Sequence, residues 1–249
     1  MNSESRPEPS PRAPALGLEY LAPLFTSPGA AFRALSARPG RAWPGPVVVS
    51  AVLVTLAAWV MLPQLLEVSY ESAAAMMEKF GTPQEEMDEA LEAMPLEPNG
   101  RVLATQVFPS LLTTPVLMLV GALVVFVGMR IMGARGPYAL TFSMFSLAYV
   151  IWALGMLVRA GAVAAAGTIE VTFGPGALLP GVEYFSPLGI FLDLFDVFSI
   201  WHLFVLVTGI SVVGGVSRGT AWGVGLAYWV LRSVFLAGSK VFMMWTQSG

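Results

Sequence analysis

The sequence of 249 residues contains no cysteine and a single histidine, His202. Without thiols there is no disulfide framework, no thiolate metal site and no cysteine nucleophile. One histidine leaves little room for a histidine-rich metal centre or a Ser-His-Asp triad. Charge is scarce as well. Asp, Glu, Lys and Arg make up 12% of the chain, against roughly 25% in an average soluble domain. With 56% hydrophobic residues and a mean hydropathy of +0.72, that charge cannot solvate the surface of a globule of this size. An ordinary cytosolic enzyme is excluded. The net charge of −3 offers no basic surface for nucleic acid. No phosphate-cradling glycine loop, zinc-spaced histidine set or pair of catalytic carboxylates in a soluble cleft is present, so no catalytic, cofactor or metal site is expected.

What the chain has instead is long uncharged runs. A membrane span needs about 20 apolar residues to cross ~30 Å of hydrocarbon at 1.5 Å per residue. Ala42–Leu66, Val102–Met129, Gly136–Val158 and Val197–Ser217 each meet that length without one charge, and Gly219–Ser239 meets it with Arg232 as the interruption. Such runs must be helices, because unpaired backbone groups are prohibitive in lipid and the runs are too uniformly apolar for barrel strands. The expected fold is all-α: a polytopic membrane protein with a five-helix transmembrane bundle. Spans fall at about 45–66, 107–129, 138–158, 190–214 and 220–242 within a membrane domain of residues 42–249. The basic residues set the orientation. Arg6, Arg12, Arg33, Arg38, Arg41, Arg130, Arg135 and Arg218 lie on one side, and Lys79, Arg101, Arg159 and Lys240 on the other, with nine acidic residues between Glu67 and Glu97. The positive-inside rule places the N-terminus in the cytoplasm and the C-terminus outside.

Residues 1–18 are polar and Pro-rich, the composition of a disordered cytoplasmic tail. The first apolar run starts too late for a cleavable signal peptide. Residues 19–41 form a cytoplasmic interfacial segment. Thr26 or Ser27 suits an N-cap, Pro28 the first helical position, and Pro39 the end. Phe32 and Leu35 share a face, with Arg33 and Arg38 nearby. The segment reads as a short amphipathic helix on the leaflet, although packing beneath the bundle fits the same pattern. In the first external loop, Thr82-Pro83-Gln84-Glu85 resembles a capping box, followed by Met87, Ala90, Leu91 and Met94 on one face. The acidic residues between them lack the alternation and central Gly of a calcium loop, and read as a solvated face. Gly215, Gly219, Gly223 and Ala227 fall at four-residue steps, a spacing that lets membrane helices approach closely.

Six polar residues stand near or within membrane depth: Arg159, Asp193, Asp196, His202, Arg232 and Lys240. Asp193, Asp196, Ser199 and His202 recur every three residues, but Asp193 and His202 are 180° apart on one straight helix. A metal or proton-relay role would need ligands from other spans, so structural pairing is the expectation. Counting outward from a turn near Ser217 puts Asp196 about 9 Å beyond Arg232. That distance predicts Arg232 reaching toward Asp196, with Lys240 or Arg159 neutralising Asp193.

The stretches LFTSPGAAFRALSARP, GARGPYALTFSMFSLAYVIWALG and DLFDVFSIWHLFVLVTGISVV resemble the bacterial branch of the Yip-domain family, over roughly residues 22–240. Asp193 to Trp201 is the most specific part. Eukaryotic members of that family are Ypt/Rab-GTPase-interacting membrane proteins. The resemblance implies five helices, a cytoplasmic N-terminus and no enzymatic activity. The sequence has no Asp-Leu-Tyr-Gly-Pro motif in or before the first span, which argues against carrying over small-GTPase binding. Eleven Arg against two Lys, in an Ala-, Gly- and Pro-rich chain, suit a GC-rich bacterial genome and a bacterial cytoplasmic membrane. The expected function is a non-enzymatic scaffold or adaptor whose partners are membrane lipids and other membrane proteins, or a second copy of itself. The alternative is a small transporter or channel using Asp193, Asp196, His202 and Arg232, although five spans show no inverted repeat.

Overall fold

The computed structural model describes residues 16–37, 42–179, 181–182 and 186–248, with side chains through residue 238. The expectations for the tail before residue 16, for Arg38 and Arg41, and for the Lys240 side chain lie outside the described residues. All described secondary structure is helical: α1 (Leu21–Thr26), α2 (Pro28–Ala37), α3 (Pro44–Lys79), α4 (Gln84–Glu92), α5 (Gly100–Val102), α6 (Pro109–Ile131), α7 (Tyr138–Ala166), α8 (Pro187–Asp193), α9 (Val197–Gly214) and α10 (Arg218–Ser248). A π-turn over Leu103–Val107 joins α5 to α6. Pro109 has no N–H to continue an α-ladder, and Phe108 N–H instead reaches back to Leu103 O at 3.0 Å. Among the described residues five helical segments are long and apolar enough to span a membrane, and the chain is a multi-pass membrane protein.

Several helices outrun the uncharged runs. The first span, α3, has 36 residues, about 54 Å at 1.5 Å per residue. It continues past Leu66 until a cap stops it. Gly81 adopts φ +67°, Thr82 N–H bonds to Met77 O at 3.0 Å, and Gly81 N–H bonds to Glu78 O at 3.0 Å. That is a Schellman closure. It explains why the capping box does not form: Thr82 belongs to the end of α3, α4 begins at Gln84, and no side chain caps it. The fourth span does not begin near residue 190. The chain breaks after α8, and α9 starts at Val197 with Asp196 as its N-cap.

The centre of the bundle is α7. Residues 141–150 are all buried, so this helix has no lipid-facing stripe over three turns. It packs on α3, α6 and α9. In lipid, apolar burial gives little driving force between helices, and close packing carries the association. Glycines supply it. A Cβ on Gly121 would lie 2.5 Å from Phe145 Cζ, one on Gly209 would lie 2.7 Å from Met144 Cγ, and one on Gly225 would lie 2.5 Å from Val207 Cγ2. These are not the four-residue series expected from the sequence. Gly215 ends α9 at φ +61°, and Gly223 has no atom within 4 Å of where its Cβ would be. Along α6, Leu112, Val116, Val120, Leu123 and Val127 stay exposed, as a lipid-facing row would.

The N-terminal helix forms at Pro28–Ala37, but its apolar face turns inward. Ala31, Phe32 and Leu35 are at most 1% exposed, and α2 packs against α9. Phe25 meets Trp201 edge-on at 5.6 Å. Of the two readings, a helix lying on the leaflet with Phe32 and Leu35 at the headgroup boundary and a helix packed under the bundle, the burial fits the second. Gly209 leaves a notch on α9 that the Phe32 ring fills, and protein contact replaces lipid contact.

Candidate functional site

The polar residues singled out in the sequence gather at one end of the bundle, where α7 ends and α9 begins. Trp152, Gly155 and Arg159 fall at i, i+3 and i+7 of α7, one face of the helix. Opposite them, the break between α8 and α9 presents Asp193 and Asp196 on separate elements. Arg232 and Ser233 of α10, and Met61 and Leu65 of α3, close the sides. Together they line a cavity of about 450 Å³.

Asp193 lies at the end of α8 and is 8% exposed. Arg159 holds it by a two-pronged bond, Nη1 donating to Oδ2 at 3.1 Å and Nη2 donating to Oδ1. Thr172 Oγ1 also donates to Oδ1 at 3.2 Å, while Gly174 N–H donates to Thr172 Oγ1 at 3.1 Å. Thr172 and the segment around it are thereby tied to the C-terminal end of α8. A planar guanidinium matches a carboxylate in this geometry, which gives orientation as well as charge compensation.

Asp196 has a different task. Its Oδ1 accepts the N–H of Phe198 at 2.9 Å and of Ser199 at 3.1 Å. The first turn of α9 would otherwise have unsatisfied donors, and its dipole favours a negative charge there. Packing behind it is tight: a Cβ on Gly155 would lie 2.4 Å from Phe198 Cβ.

Arg232 does not reach Asp196, contrary to the expectation from hairpin counting. Its Cζ sits 4.9 Å from the centroid of the Trp152 ring. The count treated the fourth span as one continuous helix. The break at 194–196 instead commits Asp196 to the α9 amides, and the aromatic face on α7 takes the guanidinium. Among the described residues the one ion pair is Arg159 with Asp193. A cation–π contact is worth roughly 0.5–2 kcal/mol. An Arg at the centre of a span costs ~2.5–3.5 kcal/mol on insertion scales. The contact offsets only part of the charge.

His202 is 1% exposed and does not line the cavity. Its Nδ1 lies 2.9 Å from Ala148 O. A carbonyl can only accept, so Nδ1 carries the proton. The ring meets Phe145 and Tyr149 edge-on, with Tyr228 beside it at 6.4 Å. This is a packed core residue. Among the described residues no group of three His, Asp or Glu side chains could hold a metal ion.

Sequence reasoning passed over Trp152, Thr172 and Ser233. The spacing of Trp152, Gly155 and Arg159 was a readable signal for a shared face. Nothing local marks Thr172, whose role depends on the chain after α7 bringing it to Asp193.

The profile of the Yip1 domain matches residues 23–239. The chain belongs to the Yip1 domain family. The match runs from α1 to the outer part of α10 and takes in the whole cavity of this Yip1-domain protein. No curated protein and no solved structure matches the chain.

Proposed function

We propose that this Yip1-domain protein is a non-enzymatic scaffold or adaptor of a bacterial cytoplasmic membrane, acting through helix packing and contacts with other membrane components. One observation carries this reading. Three of the four groups that a transport path would use help to hold the bundle together, Asp193 on Arg159, Asp196 through Oδ1 on the α9 amides and His202 on Ala148, and the fourth, Arg232, rests on the Trp152 ring. One turn along α7 and α9 from the cavity lining, Tyr149 and His202 fill the centre with aromatic packing. A mostly apolar cavity with a few charged groups at one end, backed by an aromatic plug, suits a static bundle.

The Arg distribution supports an N-inside, C-outside orientation. On that orientation the acidic α4 projects outward as a surface for a partner. The experiment is reconstitution in liposomes with ion and solute flux measured against protein-free vesicles. The scaffold reading expects no difference. Flux that Asp196→Asn abolishes would establish the transporter instead. Because the chain has no native cysteine, a thiol placed at Glu89 reads the orientation directly by labelling from outside.

A further inference from the structure

We propose that the cavity between α3, α7 and α10 binds the headgroup of a zwitterionic aminophospholipid, with the phosphate on Arg232 and the ammonium on Asp196. The site goes beyond the scaffold reading and stands or falls without it.

Charge comes first. Among the described residues four charged ones line the cavity, and two of them, Arg159 and Asp193, pair with each other. The other two bear opposite charges and do not pair. Arg232 rests on Trp152 without a described acidic partner. Asp196 uses Oδ1 for both amides, and its Oδ2 accepts no bond from a described residue. A guanidinium free on its polar edge suits two phosphate oxygens. A carboxylate oxygen lining the same cavity suits a primary ammonium, which has three N–H donors. A purely anionic headgroup would set negative charge against Asp196, and a cationic one would set positive charge against Arg232. A ligand carrying both charges satisfies both residues.

The walls come second. Around the charges the lining is apolar: Met61, Leu65, Phe173, Ile190 and Leu236 among others. Leu65 on α3 and Leu236 on α10 are each 37% exposed. Both line the cavity and keep more than a third of their surface accessible, so the wall is open on the α3 and α10 sides. The volume of about 450 Å³ falls within the ~300–1,000 Å³ of small-molecule sites. It accommodates a headgroup while the acyl chains leave sideways between α3 and α10.

The test is retention of defined lipids by the purified full chain in detergent, read by native mass spectrometry and by the melting temperature on lipid addition. The probes are phosphatidylethanolamine, phosphatidylcholine and phosphatidylglycerol with identical acyl chains. Phosphatidylethanolamine should bind most tightly, by about tenfold over the other two, the worth of one charge-assisted hydrogen bond. Asp196→Asn retains a good N-cap but loses the carboxylate, so it should erase the preference for phosphatidylethanolamine over phosphatidylglycerol while lowering the lipid-free melting temperature by no more than about 1–2 °C. Arg232→Gln should weaken both lipids by about tenfold or more. Arg232→Lys keeps the charge and loses only the two-pronged geometry, so it reads the same phosphate contact should Arg232→Gln not fold. Equal retention of all three lipids, or a preference that survives both Asp196→Asn and the Arg232 change, would reduce the binding to annular lipid and overturn the proposal. Tighter binding of phosphatidylglycerol, lost with the Arg232 change, would mean a plain anion site and overturn it as well.

Discussion

Arg159 and Asp193 join the C-terminal part of α7 to α8, and the energy of that join can be measured by a double-mutant cycle. Arg159→Met keeps most of the aliphatic stem and removes the charge. It leaves a carboxylate that is 8% exposed without its guanidinium. Breaking a buried pair from one side costs roughly 3–5 kcal/mol. Arg159 is 17% exposed and borders the cavity, so water reaches part of the pair, and the expected loss is about 2–3 kcal/mol. For a chain of this size 1 kcal/mol shifts the melting temperature by about 2–4 °C. The single change should therefore lower it by roughly 4–12 °C. Replacing both partners, Arg159→Met with Asp193→Leu, removes the stranded charge and should recover more than half of the summed losses. Melting of the purified protein in one mild detergent, followed by tryptophan fluorescence, gives all four corners of the cycle. Strictly additive losses, or a shift below 1 °C for Arg159→Met alone, would refute the idea that this ion pair joins the two helices.

The other expectations separate packing from polarity. Asp196→Ala should cost about 1–2 kcal/mol through loss of the α9 cap, and Asp196→Asn only a few tenths, in the same melting assay. Gly121→Val drives side-chain atoms into the Phe145 ring and should cost at least about 1–3 kcal/mol from overpacking, whereas Gly223→Ala, with open space around it, should be neutral or slightly stabilising. A thiol introduced at Phe32 should resist a water-soluble maleimide while one at exposed Ala34 reacts; equal labelling would place the inner face of α2 outside the bundle.

The spans were legible because their signal is physical and local: an uncharged run long enough to cross hydrocarbon must close its own backbone hydrogen bonds. Helix ends were less so. Leu66 marks the end of the apolar run, but α3 continues through Glu67, Glu71 and Glu78 until Gly81 supplies a left-handed turn. Thr82 carried the letters of an N-cap, and the preceding helix claimed it first. The apolar face of α2 was legible and the choice between its two possible partners was not, since Phe32 and Leu35 look the same whether lipid or Gly209 waits opposite. The close-approach glycines were hidden for a related reason. Spacing shows which glycines share a face, while contact depends on which large side chain the neighbouring helix brings to that level.

Asp193 and Asp196 show how one backbone event divides two similar residues. On a continuous helix they would lie 60° apart and share surroundings. The break at 194–196 places Asp193 at the C-terminal end of α8, where the helix dipole is unfavourable to a carboxylate and a guanidinium is needed. It places Asp196 at the N-terminus of α9, where amides and dipole hold a carboxylate without any cation. Arg159 goes to the residue that needs it. Arg232, set deeper on α10, is left with an aromatic face instead of an acid. The same break shortens α9 to 18 residues, while α7 and α10 continue past its start. The space beyond the α9 N-terminus is then bounded by taller helices on either side. The cavity and the unmatched charge of Arg232 thus share one cause, the helix interruption before Val197. A change that joined α8 to α9, such as replacing the cap with a strong helix former, should narrow the cavity and leave Arg232 deeper in apolar surroundings.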